Sequence, residues 1–143
     1  MTTRNIGDRT VGSGHRCYVI AEIGINHNGS IDRAFEMIDA AVQSGADCVK
    51  FQMRDLSTLY ANKGDATDHR EDLGSQYTLD LLTRFQLSEV EMFQALDRCR
   101  EHPVVPLVTP WDVTSMDHLE DYGLEAYKVA SADFTNHPFL QAL

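Results

Sequence analysis

Basic residues are scarce in this chain: 12 Lys and Arg stand against 22 Asp and Glu, a formal net charge of -10 over 143 residues. That balance argues against nucleic acid and against anionic membrane surfaces as partners, because both require a basic field. It leaves room for a small anion, since a few lysines directed into one cleft outweigh the mean charge locally. Long apolar runs are missing too, and none approaches the length that crosses a bilayer. The first sixteen residues, MTTRNIGDRTVGSGHR, hold no apolar core, so no signal peptide is expected and the cytoplasm is the expected location. Cysteine is limited to Cys17, Cys48 and Cys99, an odd number without metal-ligand spacing. Buried free thiols in a reducing compartment are the expectation. The six histidines also lack ligand spacing, and His27 reads as a turn residue.

What the chain does contain is a repeated pattern. Four apolar runs each finish on polar or ionisable residues: VIAE at Glu22, CVKFQ at Lys50 and Gln52, PLVT at Thr109, and YKVAS at Lys128 and Ser131. Segments of helical periodicity separate them. A parallel β/α barrel has this pattern, because its strand interiors are buried while the carboxyl ends of the strands open onto the active site. Strands are predicted over 18–23, 46–52, 104–109 and 126–131. The first is nearly continuous in apolar character, as expected of a strand covered on both faces. After it, NHNG marks a turn at Asn28-Gly29, and Ser30 is an N-cap candidate. Ile31, Ala34, Phe35, Ile38, Ala41 and Val42 then form one stripe, and Gly45 closes the helix. Strand, helix and strand make a βαβ unit, which requires parallel strands.

A long polar stretch over 54–76 reads as a functional loop lying over the strand ends. A short helix is predicted over 78–85. Ser88 and Glu91 form a capping box, with Leu87 and Met92 as its hydrophobic staple, which starts a helix running to about Glu101. Another helix spans 114–122 and closes at Gly123, and a further one opens at Asn136 and Pro138. The fold class is therefore α/β of the (β/α)8 TIM-barrel type. A complete barrel takes typically ~250 residues, so the expectation is its N-terminal half, about four βα units. Residues 1–16 are expected to form an arm or hairpin and 17–143 the half-barrel.

Side chains alternate across a strand, so Lys50 and Gln52 share a face and Phe51 takes the other. The strand ends then supply one carboxylate, two ammonium groups, an amide and two hydroxyls at the same end of one sheet. Two lysines and a threonine hydroxyl suit a phosphate or carboxylate, the lysine as a point charge and the hydroxyl as a directional donor. A neighbouring carboxylate serves as a general base or orients a water. A single strand-end lysine is ordinarily just a solvated charge. Four strand ends of the same character favour a functional site. Asp112 and Asp133 follow strand ends and read equally as helix caps or site acids.

The stretch IAEIGINHNGSIDRAFEMIDAAVQSGADCVKFQ closely resembles the opening of the sialic acid synthase (N-acetylneuraminate synthase) family. LVTPWD followed by YKVASADFTNHPFL resembles that family's third and fourth strands, and NIGDRTVGSGH is similar to its leading hairpin. The resemblance runs from about Tyr18 to Leu143. It implies a metal-dependent (Mn or Mg) condensation of phosphoenolpyruvate with N-acetylmannosamine, a related N-acetyl amino sugar or its 6-phosphate, releasing phosphate, in a homodimeric enzyme. By motif position it implies catalytic roles for Glu22 and Lys50. Thr109, Lys128 and Ser131 would hold phosphoenolpyruvate, and Gln52 and Asp133 would contact the sugar. Ser131, Ala132 and Asp133 stand where the family commonly reads SGE, so the acid facing the sugar is one methylene shorter; TPW replaces the commoner TPF. The resemblance puts the metal ligands and a C-terminal antifreeze-like domain outside these residues, and the 143-residue chain alone is expected to be inactive. Two other readings compete. One is a pyruvate-type Schiff-base aldolase using Lys50 or Lys128 as nucleophile. The other is a non-catalytic barrel fragment that self-associates through open sheet edges.

Overall fold

The computed structural model describes residues 3–59 and 73–143. Two short strands, β1 (Arg4–Ile6) and β2 (Arg9–Val11), pair antiparallel around Gly7. Gly7 has φ 56°, and a β-carbon there would stand 2.9 Å from Val105 Cγ2. The hairpin tip therefore needs glycine both for its backbone and for its approach to the body. The body is a three-stranded sheet of β3 (Ile20–Gly24), β4 (Cys48–Met53) and β5 (Val105–Pro110), in that spatial order and parallel throughout. α1 (Ile31–Gln43) connects the first two strands. α2 (Leu56–Leu59), α3 (Leu73–Phe85) and α4 (Glu89–Arg100) lie between the second and third. α5 (Val113–Tyr122), a 3-10 turn (Ser131–Asp133) and α6 (His137–Ala142) follow.

Local chemistry sets the helix ends. Asn28 and Gly29 both take positive φ, 53° and 75°, and the Ser30 side chain accepts the Arg33 backbone N–H to start α1. At α4 the Ser88 hydroxyl accepts from the Glu91 backbone, while the Glu91 carboxylate accepts from the Ser88 backbone N–H at 2.9 Å. Leu87 and Met92 are buried beside that box, as a staple requires. Gly123, in the left-handed region at φ 78°, closes α5. Val49, Phe51 and Met53 of β4 and Val108 of β5 join Ala34 and Ile38 of α1, Met92, Ala95, Leu96 and Cys99 of α4, and Leu119 of α5 in one core.

Four expectations need correction. The run 126–131 is not a strand: it meets β5 through a single parallel bridge, Val108 to Tyr127, with the Lys128 N–H donating to the Val108 carbonyl at 3.0 Å. A segment with a ladder on one side only has half the backbone pairing of an interior strand, and this one leaves β5 after one bridge. The first strand begins at Ile20, because the Val19 N–H goes to the Asp47 carboxylate at 2.9 Å. Ile20, its first residue, is 45% exposed in this chain, and Ile23 is buried. Cys17 is exposed, and only Cys48 and Cys99 are buried free thiols. α3 starts at Leu73, ahead of the predicted 78. The predicted loop over the strand ends lies largely in 60–72, outside the described residues. Among the described residues no helix is long and apolar enough to cross a membrane.

Candidate active site

The polar residues of the sheet gather on the face turned away from the helices. Glu22 pairs in register with Lys50, and Gln52 with Thr109. The pairing matters because residues directly opposite in a sheet point to the same side. Lys50 is 4% exposed, and its Nζ donates to Glu22 Oε1 at 2.9 Å. A buried ammonium is costly without a partner, so this carboxylate is what allows a lysine at that position. The Glu22 side chain stays half-exposed. Thr109 is 1% exposed, and its hydroxyl finds no hydrogen-bond partner among the described residues. Buried hydroxyls in native proteins are almost always paired, so an orphan opposite Gln52, on the face that carries Lys50, stands out.

The remaining predicted residues are more loosely joined to this group. Extending the register from the Val108–Tyr127 bridge puts Lys128 opposite Thr109, and its side chain is exposed. Ser131 opens the 3-10 turn beyond the bridge and is exposed, its carbonyl accepting from the Phe134 N–H at 3.4 Å. Asp133, in the same turn, accepts from Asn136 Nδ2 at 3.1 Å through Oδ1, while Oδ2 is enclosed without a partner among the described residues. Asp112 proves to be a cap: it accepts from the Ser115 N–H and hydroxyl and from the Asp55 N–H, at 2.7, 2.9 and 2.8 Å. Cys48 lies on the polar face two residues before Lys50, and burial pushes its thiol up to about 11, so it is no ready nucleophile.

Two cavities flank the sheet. One of 260 Å³ borders Gln52, Arg54, Ser115 and His118 at the carboxyl end of β4. Another of 290 Å³ lies at the opposite end, between the hairpin tip at Gly7 and Val105, and touches none of the groups above.

With this geometry in view, comparison with known proteins is direct. Residues 37–143 match the NeuB family. The chain belongs to that family. It is 35% identical to the spore coat polysaccharide biosynthesis protein SpsE of Bacillus subtilis, over 99% of this chain and 38% of that protein. It is 32% identical to the N,N'-diacetyllegionaminic acid synthase of Legionella pneumophila, over 94% of this chain and 38% of the relative. Among solved structures, the N-acetylneuraminic acid synthetase of Leptospira borgpetersenii, in complex with citrate, superposes with a TM-score of 0.81 at 25% identity. That superposition covers 99% of this chain and 45% of the other. The chain thus spans less than two-fifths of the length of these curated relatives.

The NeuB-family chain also carries two groups that strand patterning did not single out. Arg54 donates to the Gln52 side-chain oxygen and lies over the Trp111 ring, 4.6 Å from its centre. Gly24, at φ 57°, ends β3 where the register shifts, close to both Glu22 and Gln52. A glycine closing an apolar strand was the one available signal for the second; nothing in the sequence pattern announced the first. Among the described residues, no three His, Cys, Asp or Glu side chains gather around one point as metal ligands would.

Proposed function

We propose that the protein carrying this chain condenses phosphoenolpyruvate with N-acetylmannosamine, a related N-acetyl amino sugar or its 6-phosphate, and releases phosphate. On this reading the chain is the N-terminal half of a (β/α)8 barrel, within a cytoplasmic homodimer. The names of the relatives, synthases of sialic and legionaminic acids, support the class of product. The carrying observation is the buried Lys50–Glu22 pair beside the unpartnered Thr109 hydroxyl, on the face turned away from the helices.

The chemistry follows from these groups. C3 of phosphoenolpyruvate attacks the aldehyde carbon of the open-chain sugar, a carbon–carbon bond forms, and the aldehyde oxygen takes a proton. Water adds at C2, the C2–O bond to phosphate breaks, and a 2-keto acid and inorganic phosphate result. Lys50 occupies Glu22 Oε1, which leaves Oε2 to orient that water and accept its proton. Lys50, Lys128, Thr109 and Ser131 hold the phosphoenolpyruvate carboxylate and phosphate. Their positive charge and donors favour the transition state because negative charge grows on the leaving oxygens. Gln52 and Asp133 face the sugar. The divalent cation implied by the family resemblance does not fit the described residues as a ligand set, and no step above passes through it.

The test is phosphate release from phosphoenolpyruvate by the intact gene product, with and without each N-acetyl amino sugar, and the product's mass. Sugar-dependent release with one nonulosonic acid per phosphate is expected; no release with any such sugar ends the reading. The burial of Lys50 is the observation that favours a Schiff-base aldolase, although its Nζ is already engaged by Glu22. Borohydride trapping of a pyruvate adduct on Lys50 or Lys128 would establish that second mechanism instead.

A further inference from the structure

Just beyond β4, the Arg54 Nη2 donates to Gln52 Oε1, and the guanidinium stacks on Trp111. Trp111 is itself anchored, its backbone N–H donating to the Met53 carbonyl at 3.1 Å. A guanidinium has five donors and no acceptor, so the amide atom it touches must be the oxygen. That contact decides where the other end of the amide goes. A β-carbon added to Gly24 would stand 3.4 Å from Gln52 Nε2 and 3.0 Å from Glu22 Oε1. The bare glycine therefore leaves a notch about one methyl group wide between an N–H donor and a carboxylate. The bond to Arg54 is the one hydrogen bond the Gln52 side chain makes among the described residues.

We infer that Arg54, braced on Trp111, is a positioning residue that fixes the Gln52 amide with its N–H side toward the Gly24 notch. The site then offers a donor to a carbonyl or hydroxyl oxygen of its substrate. With the amide reversed, the ligand would meet two acceptors, Gln52 Oε1 and the Glu22 carboxylate, and an acetamido carbonyl would be repelled. The identity of the ligand as an N-acetyl amino sugar rests on the function proposed above; the amide orientation does not.

Two measurements on the intact gene product test this. In steady-state kinetics, Arg54→Met raises the KM for the amino sugar about tenfold, the worth of one hydrogen bond. The KM for phosphoenolpyruvate stays within twofold, and Arg54→Lys, which keeps a donor, recovers most of the loss. An unchanged sugar KM, or an equal rise in both constants, overturns the inference. Independently, with glutamine side chains labelled with nitrogen-15, the wild-type protein gives a nuclear Overhauser contact between the Gln52 amide protons and the Gly24 α-protons. Arg54→Met loses it. Absence of that contact from the wild type overturns the inference without any variant having to fold. If the contact is present but no N-acetyl amino sugar is consumed, the functional reading falls and the role of Arg54 stands.

Discussion

The two faces of β4 are one residue apart in sequence and opposite in physical character. Val49, Phe51 and Met53 point to the helices and are buried among apolar side chains. Cys48, Lys50 and Gln52 point the other way, and there burial encloses an ammonium. On the first face, removal from water stabilises the fold by roughly 25 cal/mol per Å² of apolar area. On the second it costs free energy, which the Glu22 carboxylate offsets. A slip of one residue in register would exchange the faces. The apolar set therefore holds the polar set in place, and the packing of α1 and α4 is what aims Lys50.

Two substitutions on adjacent residues would break this comparison if it is wrong. Phe51→Ala empties a fully buried position and is expected to destabilise by about 3–5 kcal/mol. Urea unfolding measures it, and a loss under 1 kcal/mol would show that the helix side is not the anchor. Lys50→Met should do the reverse. It removes a buried charge whose partner is half-exposed, so stability changes by no more than about 1–2 kcal/mol in either direction. Phosphate release should fall about a hundredfold or more, as when one electrostatic contact to a transition state is lost. Retained turnover in that variant would take Lys50 out of the chemistry.

Strand alternation alone made most of the candidate group legible. Glu22, Lys50, Gln52 and Thr109 do share a face, as the period-two pattern requires. Ser30 and Ser88 are caps because short polar side chains at those spacings have one good use, the orphan N–H groups of the next turn. What stayed illegible depends on contacts remote in sequence. The segment 126–131 has strand-like composition, yet pairing needs neighbours, and it has a single bridge. Arg54 looked like the start of a polar loop because its partner across space, Trp111, follows a different strand. Asp112 reads two ways in the sequence; its carboxylate caps α5 at the Ser115 N–H and also holds the N–H of Asp55, which follows a different strand.

The capping box offers a smaller test of how independent the helix side is. Ser88→Ala removes the hydroxyl acceptor at the start of α4 and should cost about 1 kcal/mol. The KM values should be unchanged: Ser88 lines the same cavity as Gln52, but its hydroxyl is engaged by the Glu91 N–H and carboxylate. A selective rise in either KM would mean that the two faces communicate through α4.

The smallest expected effect lies in the turn that links the two regions. His27 is fully buried, its Nδ1 accepts from the Gly29 N–H at 3.2 Å, and its ring centre is 6.2 Å from that of Phe51. Burial holds the imidazole below its ordinary pKa of about 6.5. The unfolded chain therefore takes up this proton at a higher pH than the folded protein does. Stability from a neutral, buried His27 is complete above about pH 6.5 and declines as the pH falls toward the lower folded pKa. Urea midpoints measured from pH 7.5 down to 5.5 should show wild type losing stability faster than His27→Gln, which has no proton to gain. Parallel slopes would show that His27 does not set the acid sensitivity in this range; Asp47, held below the usual carboxylate range chiefly by the Val19 N–H, loses its contribution only below about pH 4. The turn would then be only a spacer between the core and Glu22.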